Sequence, residues 1–315
     1  MGGPSSEREI SLNSGKAVYL ALKESGVDAE PIDIQTDNRE ENIRLLSSRK
    51  LECAFIALHG RFGEDGTVQE ILGALKIPYT GSGVSASRLA MDKVASRRIF
   101  ESSRLHVPRY TTVDKDGVAA VCTLPYRIGK CAPSGAHASG ALGLPLVVKP
   151  VSQGSSIGLS LVSKEEELNR ALDLALQFGR EALIEEYIKG RELTLGVLAE
   201  KALPIVEILP KKAFFDYEAK YRAGLTDYLV PAQLEEEVTQ KVKEAGLSAH
   251  RLLGCSGCSR VDIILSDGNN LPFILEVNTI PGFTATSLLP KAARHGGIEF
   301  NALCLKLIEL AYEKK

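Results

Sequence analysis

Apolar and polar positions alternate with either a helical or a strand-like period through the first 90 residues. Residues 53–58 form a continuous apolar run, which predicts a buried strand, and apolar positions over 68–76 then recur with helical spacing. An earlier helix is predicted over 14–24 and another strand over 29–34. Because strands that alternate with helices are typical of an α/β architecture, we predict a small α/β domain over residues 1–90.

Short strands dominate the rest of the chain. Residues 146–150 and 159–162 flank a turn of small residues and predict a hairpin, which an amphipathic helix over 164–178 follows. Helices are also predicted over 92–102 and 235–253, a last helix ends at Tyr312, and further strands are predicted over 182–187, 193–198, 205–209, 260–265 and 273–278. This mixture predicts an α+β portion that begins near residue 91, within which residues 123–143 show no period.

The composition indicates an ordinary globular protein. The 315 residues carry a formal net charge of -2, and their basic residues are scattered, so no nucleic-acid partner is expected. No apolar run approaches the roughly 20 residues that span a bilayer, and residues 1–7 lack the apolar core of a signal peptide. We therefore expect a cytoplasmic protein without a membrane partner, in which the six cysteines stay reduced. Cys255 and Cys258 have metal or redox spacing, but no second pair accompanies them, so two unlinked thiols are expected.

The sharpest chemical signal lies in the two strands predicted over 260–265 and 273–278. Asp262 stands in the first of these strands, and Glu276 and Asn278 are two residues apart in the second. If the strands pair across the turn between them, these side chains converge on one face. Three hard oxygen donors suit Mg²⁺ or Mn²⁺, particularly where substrate phosphates complete the ligand shell. The alternative is a solvated strand face.

A second signal is the small-residue loop over 149–158, which Lys149 begins. Glycine and serine let backbone N–H groups approach phosphate oxygens closely, and the lysine supplies a positive charge. The loop lacks the spacing of a Walker P-loop, and an inert hairpin turn gives the same composition.

Two further stretches lie where ligands often bind. The glycine-rich loop over 58–66 follows a predicted strand, and open α/β sheets bind ligands at that edge, although its acids also suit helix capping. Glu7 and Glu9 precede a predicted helix, and considered alone they simply favour a helix N-terminus.

Together these stretches resemble the D-alanine:D-alanine ligase family of ATP-grasp enzymes over nearly the whole chain. The motifs that carry the resemblance are GGPSSEREISL at 2–12, ALHG at 57–60, GEDG at 63–66, YTGSG at 79–83, MDK at 91–93, VKP at 148–150, GSSIG at 154–158, DYEAKY at 216–221, RVD at 260–262 and EVNTIPG at 276–282. Their number and order raise the weight of each single motif.

The resemblance implies an ATP-grasp fold with an N-terminal Rossmann-like domain, a central domain over 91–184 and a C-terminal metal-binding domain over 185–315. ATP then lies between the central and C-terminal domains. For ATP it implies phosphate contacts from Lys93 and Lys149, with Ser155, Ser156, Glu185, Glu186, Ile188 and Glu192 completing the nucleotide site. For metals it implies two Mg²⁺ or Mn²⁺ ions on Asp262, Glu276 and Asn278. For D-alanine it implies that Glu7 and His59 contact the first molecule and that Ser287 and Leu288 contact the second. Arg260 and Gly282 stabilise the oxyanion in this scheme. Lys220 lies on a loop that closes over the reactants through a hydrogen-bonded group of Glu7, Ser155 and Tyr221.

The implied reaction joins two D-alanine molecules for peptidoglycan precursor synthesis. The carboxylate of the first D-alanine attacks the γ-phosphate of ATP to form an acyl phosphate, which the amine of the second then attacks. The resemblance further implies a homodimer. Tyr221 favours dipeptide over depsipeptide, because family members that make the ester lack this tyrosine.

One departure from the family concerns the first residues. The family has a β-strand ahead of the glycine pair, whereas Met1 directly precedes Gly2 here. Losing a strand leaves its neighbours without ladder partners and Glu7 without the element that aims it. We therefore expect a start assigned too late, and a more stable protein when a strand is added upstream.

Two other functions remain open on the sequence. A D-alanine:D-lactate or D-alanine:D-serine ligase needs the same ATP chemistry, and an ATP-binding protein with impaired catalysis needs only part of it. The retained lysines and acids at Lys93, Lys149, Asp262 and Glu276 argue against the impaired protein.

Overall fold

The computed structural model describes residues 1–115, 142–154, 156–210 and 226–313. The predictions for Ser155, Lys220 and Tyr221, and for most of 123–143, lie outside the described residues. The helices are α1 Arg8–Glu24, α2 Arg39–Ser47, α3 Thr67–Ala74, α4 Val84–Met91, α5 Lys93–Ser102, α6 Leu168–Leu176, α7 Glu236–Leu252, α8 Leu288–His295 and α9 Phe300–Glu313. The strands are β1 Tyr110–Asp114, β2 Leu146–Pro150, β3 Ser160–Val162, β4 Glu181–Glu186, β5 Gly190–Leu198, β6 Lys201–Ala202, β7 Val206–Pro210, β8 Thr226–Leu229, β9 Cys258–Ser266 and β10 Pro272–Asn278.

The N-terminal region contains helices, but the two strands predicted there are not regular. Residues 29–34 and 53–58 meet their neighbours only at single parallel bridges, Gly2 with Ile34 and Ala54 with Tyr79. Both runs line one cleft of about 530 Å³, together with apolar side chains of α1, and do not pair with each other. The prediction of two regular strands is therefore wrong.

Helix α1 begins six residues earlier than its apolar pattern predicts. Ser11 and Ser14 are fully buried in its first turns, because both bond to His59 instead of to water. Because these buried positions are polar, the apolar residues of the first turns do not show the helical period.

The first sheet has four antiparallel strands in the order β1-β4-β2-β3. Its hairpin of β2 and β3, with Leu146 opposite Val162, confirms the prediction over 146–162. Helix α6 packs on one face, and Val148, Val162, Leu172 and Ile184 meet in the core between them.

The second sheet follows the order β10-β9-β5-β7-β8, with β6 paired to β5, and all its pairs are antiparallel. Helix α7 packs against it over Val242 and Ala249, next to Leu195 and Val261. A third apolar core joins the N-terminal helices to α8 and α9 at the other end of the chain. The boundaries at residues 90 and 184 stay a prediction.

Candidate active site

One cleft of about 390 Å³ brings the predicted site residues together. All of those within the described part of the chain line it: Glu7, His59, Lys93, Lys149, Ser156, Glu185, Glu186, Ile188, Glu192, Arg260, Asp262, Glu276, Asn278, Gly282, Ser287 and Leu288. The lining comes from both sheets, from the N-terminal region and from the first turn of α8. The roles assigned to these residues remain predictions.

The acidic face of this cleft depends on a β-bulge in β10. Residues 272–274 pair with β9 in one register, but the register shifts by one between Ile274 and Glu276. A regular ladder would place Leu275 opposite Asp262 and turn Glu276 to the other face of the sheet. The bulge instead sets Glu276 opposite Asp262 and Asn278 opposite Arg260. The predicted pairing of these two strands is confirmed, and the bulge makes their polar side chains converge.

Asp262 is the centre of a hydrogen-bonded group. Arg260 donates from Nε and Nη2 to its two carboxylate oxygens, both at 2.8 Å. Thr194 donates to Oδ1 at 3.0 Å, and the Nδ2 of Asn278 donates to Oδ2 at 3.1 Å. A bidentate pair of this kind fixes the plane of the guanidinium before any substrate binds.

The donor atoms of this face fit a hard cation that also has phosphate ligands. No three His, Cys, Asp or Glu side chains among the described residues are grouped so that they form a metal site by themselves. The predicted set contains only two carboxylates, Asp262 and Glu276, and its third donor is an amide. Since the Nδ2 of Asn278 is used on Asp262, its Oδ1 is the atom suited to a cation. Such a site needs substrate oxygens to complete it.

Two buried lysines also line the cleft. The Nζ of Lys93 lies 3.2 Å from Glu276 Oε2 and donates to the carbonyl of Gln153 at 2.6 Å. The Nζ of Lys149 lies 2.7 Å from Glu185 Oε1, and burial lowers its pKa. Burial by itself raises the pKa of Glu185, but Arg97 and Lys149 lower it by more, so Glu185 is ionised. These contacts hold two lysine side chains at the cleft, each beside a carboxylate.

Glu7 supplies a buried carboxylate at the N-terminal side. It stands at the N-cap position of α1, only 4% exposed, and its backbone N–H is held by Ser5 Oγ at 3.2 Å. Gly60 has φ +72, and a Cβ there would lie 2.5 Å from Glu7 Oε2. Only glycine permits both this backbone conformation and this close approach.

His59 links that carboxylate region to the C-terminal half of the chain. Its ring contacts the carbonyl of Ile280 through Nδ1 and Ser14 Oγ through Nε2, each at 3.0 Å. Burial, and then the charge of Arg260, lower the pKa of His59 to about 4, so the ring is neutral near pH 7. Because a carbonyl only accepts, Nδ1 carries the proton and Nε2 accepts from Ser14. Ser14 Oγ in turn accepts from the N–H of Phe283 at 3.3 Å.

Glu64 is a second acid in the cleft, to which the sequence assigns no role. Its Oε2 accepts from the N–H of Gly60 at 2.6 Å. Burial, and then the charge of Glu7, raise the pKa of Glu64 to about 8. Glu64 is therefore mostly protonated near pH 7.

The N-terminus of α8 closes the cleft beside Gly282. Ser287 is its N-cap residue, and its Oγ accepts from the N–H of Thr284 at 3.1 Å. A Cβ at Gly282 would lie 2.8 Å from that oxygen. The first N–H groups of a helix and its dipole favour a carboxylate, so this corner suits an anionic group.

Sequence reasoning missed Ser14, Arg97 and Tyr228, of which Ser14 and Tyr228 line the cleft. Arg97 lies one helical turn after Lys93, but this spacing does not distinguish a buried arginine from an exposed one. Nothing in the local sequence marks Tyr228, whose ring lies 3.8 Å from Lys291 Nζ. Cys255 and Cys258 are buried and form no disulfide, as predicted.

Family models and proteins of one family match this chain in sequence. The family model described as D-ala D-ala ligase C-terminus matches residues 126–309, and the one described as D-ala D-ala ligase N-terminus matches residues 38–82. The D-alanine–D-alanine ligase of Pelotomaculum thermopropionicum is 46% identical over 99% of this chain and 95% of its own. That of Geotalea uraniireducens is 44% identical over 99% of this chain and 94% of its own.

A solved structure of the same kind covers the chain equally well. The crystal structure of a D-alanine–D-alanine ligase from Bacillus anthracis complexed with ATP has a TM-score of 0.81 and 32% identity, over 99% of this chain and 96% of that one. Within the residues that our structure describes, no helix is both long and apolar enough to cross a membrane.

Proposed function

This chain belongs to the D-alanine:D-alanine ligase family, and we propose how its cleft carries out the ATP-dependent joining of two D-alanine molecules. The observation that supports the proposal is the meeting of buried lysines, paired acids and a helix N-terminus in one cleft. The family relatives join D-alanine to D-alanine, which favours this reaction over ligation of D-lactate or D-serine.

ATP binds between the two sheets. Lys93 and Lys149 face the phosphates, where each charge is already held in place by a carboxylate, 3.2 and 2.7 Å away. Adenine and ribose are held by Glu185, Glu186, Ile188 and Glu192. Ser156 also lines this nucleotide site, and the resemblance adds Ser155 to it. Lysines fixed in advance stabilise the charge that develops on the transferred phosphoryl group without reorganising first.

Asp262, Glu276 and Asn278 hold two Mg²⁺ or Mn²⁺ ions in this proposal. When bound, such ions neutralise charge on the phosphates of ATP and align them. The oxygen-only donor set on one face of β9 and β10 supports the assignment.

The first D-alanine binds at Glu7 and presents its carboxylate to ATP. The buried carboxylate of Glu7 pairs with the ammonium, and the neutral ring of His59 packs beside it without adding a competing positive charge. One carboxylate oxygen attacks the γ-phosphorus, the bond to ADP breaks, and an acyl phosphate results. This step converts a poor electrophile into a reactive one.

The second D-alanine binds at α8. Its carboxylate accepts from Ser287 Oγ and the N–H of Leu288 at the helix N-terminus. Its amine, after losing a proton, attacks the acyl carbon, and phosphate leaves as the peptide bond forms. Arg260 and the N–H of Gly282 stabilise the oxyanion, Arg260 from the orientation that its two bonds to Asp262 fix. Lys220 and Tyr221, on the loop outside the described residues, close over the reactants as the resemblance implies.

The direct test is turnover of purified protein with ATP, Mg²⁺ and D-alanine. We expect stoichiometric ADP and phosphate, and D-alanyl-D-alanine identified by mass spectrometry. L-alanine is the control for stereochemistry, and D-alanine mixed with D-lactate near neutral pH is the control for product class. Predominant depsipeptide, or phosphate release without any peptide, refutes the proposed substrate assignment.

Three finer assignments belong to the same proposal. The chain acts as a homodimer, which sedimentation velocity measures directly. It works in the cytoplasm on peptidoglycan precursors, which cell fractionation and the accumulation of unligated precursor on depletion test together. A monomer of full activity would remove the dimer from the proposal.

A further inference from the structure

Arg97 is a fully buried cation behind the nucleotide side of the cleft. Helix α5 starts at Lys93 behind its N-cap Asp92, so Lys93 and Arg97 are four residues apart and share a face of the helix. Lys93 lines the cleft, whereas the side chain of Arg97 has an exposed fraction of 0%. An unpaired arginine at such a position would be strongly destabilising.

The guanidinium of Arg97 contacts both sheets. Its Nη2 forms an ion pair with Glu185 Oε2 of β4, in the four-stranded sheet. The same atom lies 3.5 Å from the carbonyl of Leu275, the residue at the β-bulge of β10 in the six-stranded sheet. The guanidinium lies over the ring of Tyr110, 5.3 Å from its centroid.

Glu185 therefore lies between two buried cations, of which only one lines the cleft. Its Oε2 meets Arg97, which does not line the cleft, and its Oε1 meets Lys149, which does. The side chain of Glu185 is only 4% exposed, so little water reaches its carboxylate. A carboxylate fixed on one side by an arginine presents its other oxygen, and the lysine bound there, in one orientation.

We propose that Arg97 is a positioning residue for ATP, which acts by holding Glu185 against Lys149 and by tying β4 to the bulge of β10. The inference rests on the proposed function, because it assumes that Lys149 and Glu185 face the nucleotide. Arg97 touches no reacting atom in this scheme. It sets where the phosphate-binding lysine and the nucleotide-binding carboxylate stand before ATP arrives.

Binding of a non-hydrolysable ATP analogue with Mg²⁺, measured by calorimetry on the full chain, tests the proposal. Arg97→Met removes the charge and keeps an unbranched chain, and we expect analogue binding to weaken about tenfold or more, as for lost hydrogen bonds to a charged group. Arg97→Lys keeps a charge without the planar fork and should recover part of the loss. Arg98→Met is the matched control, because Arg98 is exposed on the same helix, and it should bind the analogue like the wild type.

A double-mutant cycle separates positioning from general damage to the fold. If Arg97 acts through Glu185, then Arg97→Met in a Glu185→Gln background should weaken binding by less than roughly threefold further. The KM for D-alanine should stay unchanged while that for ATP rises. Equal losses in both backgrounds, or a fall in kcat with an unchanged KM for ATP, overturn the proposal.

The proposal can be tested even if one variant does not fold or if the wild-type chain does not join D-alanine. If Arg97→Met does not fold, Arg97→Lys decides alone, and unaltered analogue binding in that variant overturns the proposal. The calorimetric readout requires no ligation. A wild-type chain that binds the analogue but never joins D-alanine therefore refutes the proposed function, while the variants still test Arg97.

Discussion

Replacing Gly60 by alanine should damage the first D-alanine site and little else. Gly60 has φ +72, and this left-handed conformation costs alanine about 1–2 kcal/mol. The new Cβ would also lie 2.5 Å from Glu7 Oε2, against at least 3.4 Å for an ordinary contact. The carboxylate must then move by roughly 1 Å, which is enough to cost about 100-fold in catalytic efficiency.

The neighbours of Glu7 leave it little choice of direction. Its side chain is buried, and Gly154 is also close to it, since a Cβ at Gly154 would lie 3.5 Å from Glu7 Oε2. A shift of the carboxylate changes its position relative to the ammonium that it is proposed to bind. We expect kcat/KM for D-alanine to fall about 100-fold at saturating ATP. The KM for ATP should not change, because the lysines lie elsewhere.

Gly26→Ala is the matched control for this prediction. Gly26 has φ +78, close to that of Gly60, but no atom lies within 4 Å of the position that a Cβ would take there. Thermal unfolding should show a similar loss of stability in both variants, about 1–2 kcal/mol, and the control should keep wild-type kinetics. If the kcat/KM of Gly60→Ala stays within roughly threefold of the control, the proposed contact between Glu7 and substrate is wrong.

Three further predictions follow from the same cleft. Glu276→Gln removes one negative charge with little change of shape, so Mg²⁺-dependent turnover should fall by about 100-fold or more while the protein still folds, and near-normal rates would refute the metal assignment. His59 has a folded pKa of about 4, below its unfolded 6.5, so its contribution to stability is present above pH 6.5 and is lost as pH falls towards 4; His59→Gln should flatten that slope in unfolding measurements between those values. Glu64 has the opposite shift, to about 8, so its contribution is present below pH 4.5 and is lost as pH rises through 8; Glu64→Gln should stabilise the protein relative to wild type at pH 9, and an equal stability there would contradict a protonated Glu64.

The sequence predicts well what depends on local period and on residue type. The helices over 68–76, 92–102 and 235–253 and the hairpin of β2 and β3 are found within a few residues. The donor set on β9 and β10 is also found, because hard oxygen ligands two residues apart in a strand are conspicuous.

Other features depend on contacts that no local pattern contains. The bulge at Leu275 decides which way Glu276 points, and its sequence is merely apolar. Arg97 looks like any polar residue of a helix until the fold buries it against Glu185. The early start of α1 is hidden by serines that replace apolar side chains, since their partner, His59, is more than 40 residues away along the chain.

The bridge from Ser14 and His59 to the C-terminal half also determines when the protein becomes competent during its synthesis. His59 bonds to Ile280, 221 residues later, and Ser14 accepts from Phe283, 269 residues later. At ribosomal rates of about 5–20 residues per second, His59 waits roughly 10 to 45 s for its partner. Until then the polar groups of His59 and Ser14 lack their C-terminal partners, and the apolar face that packs against α8 and α9 is exposed. Chaperones bind exposed apolar surface of this kind. A nascent chain released before residue 283 would contain most of the ATP-binding lysines and acids, yet its D-alanine pocket would have no closing wall.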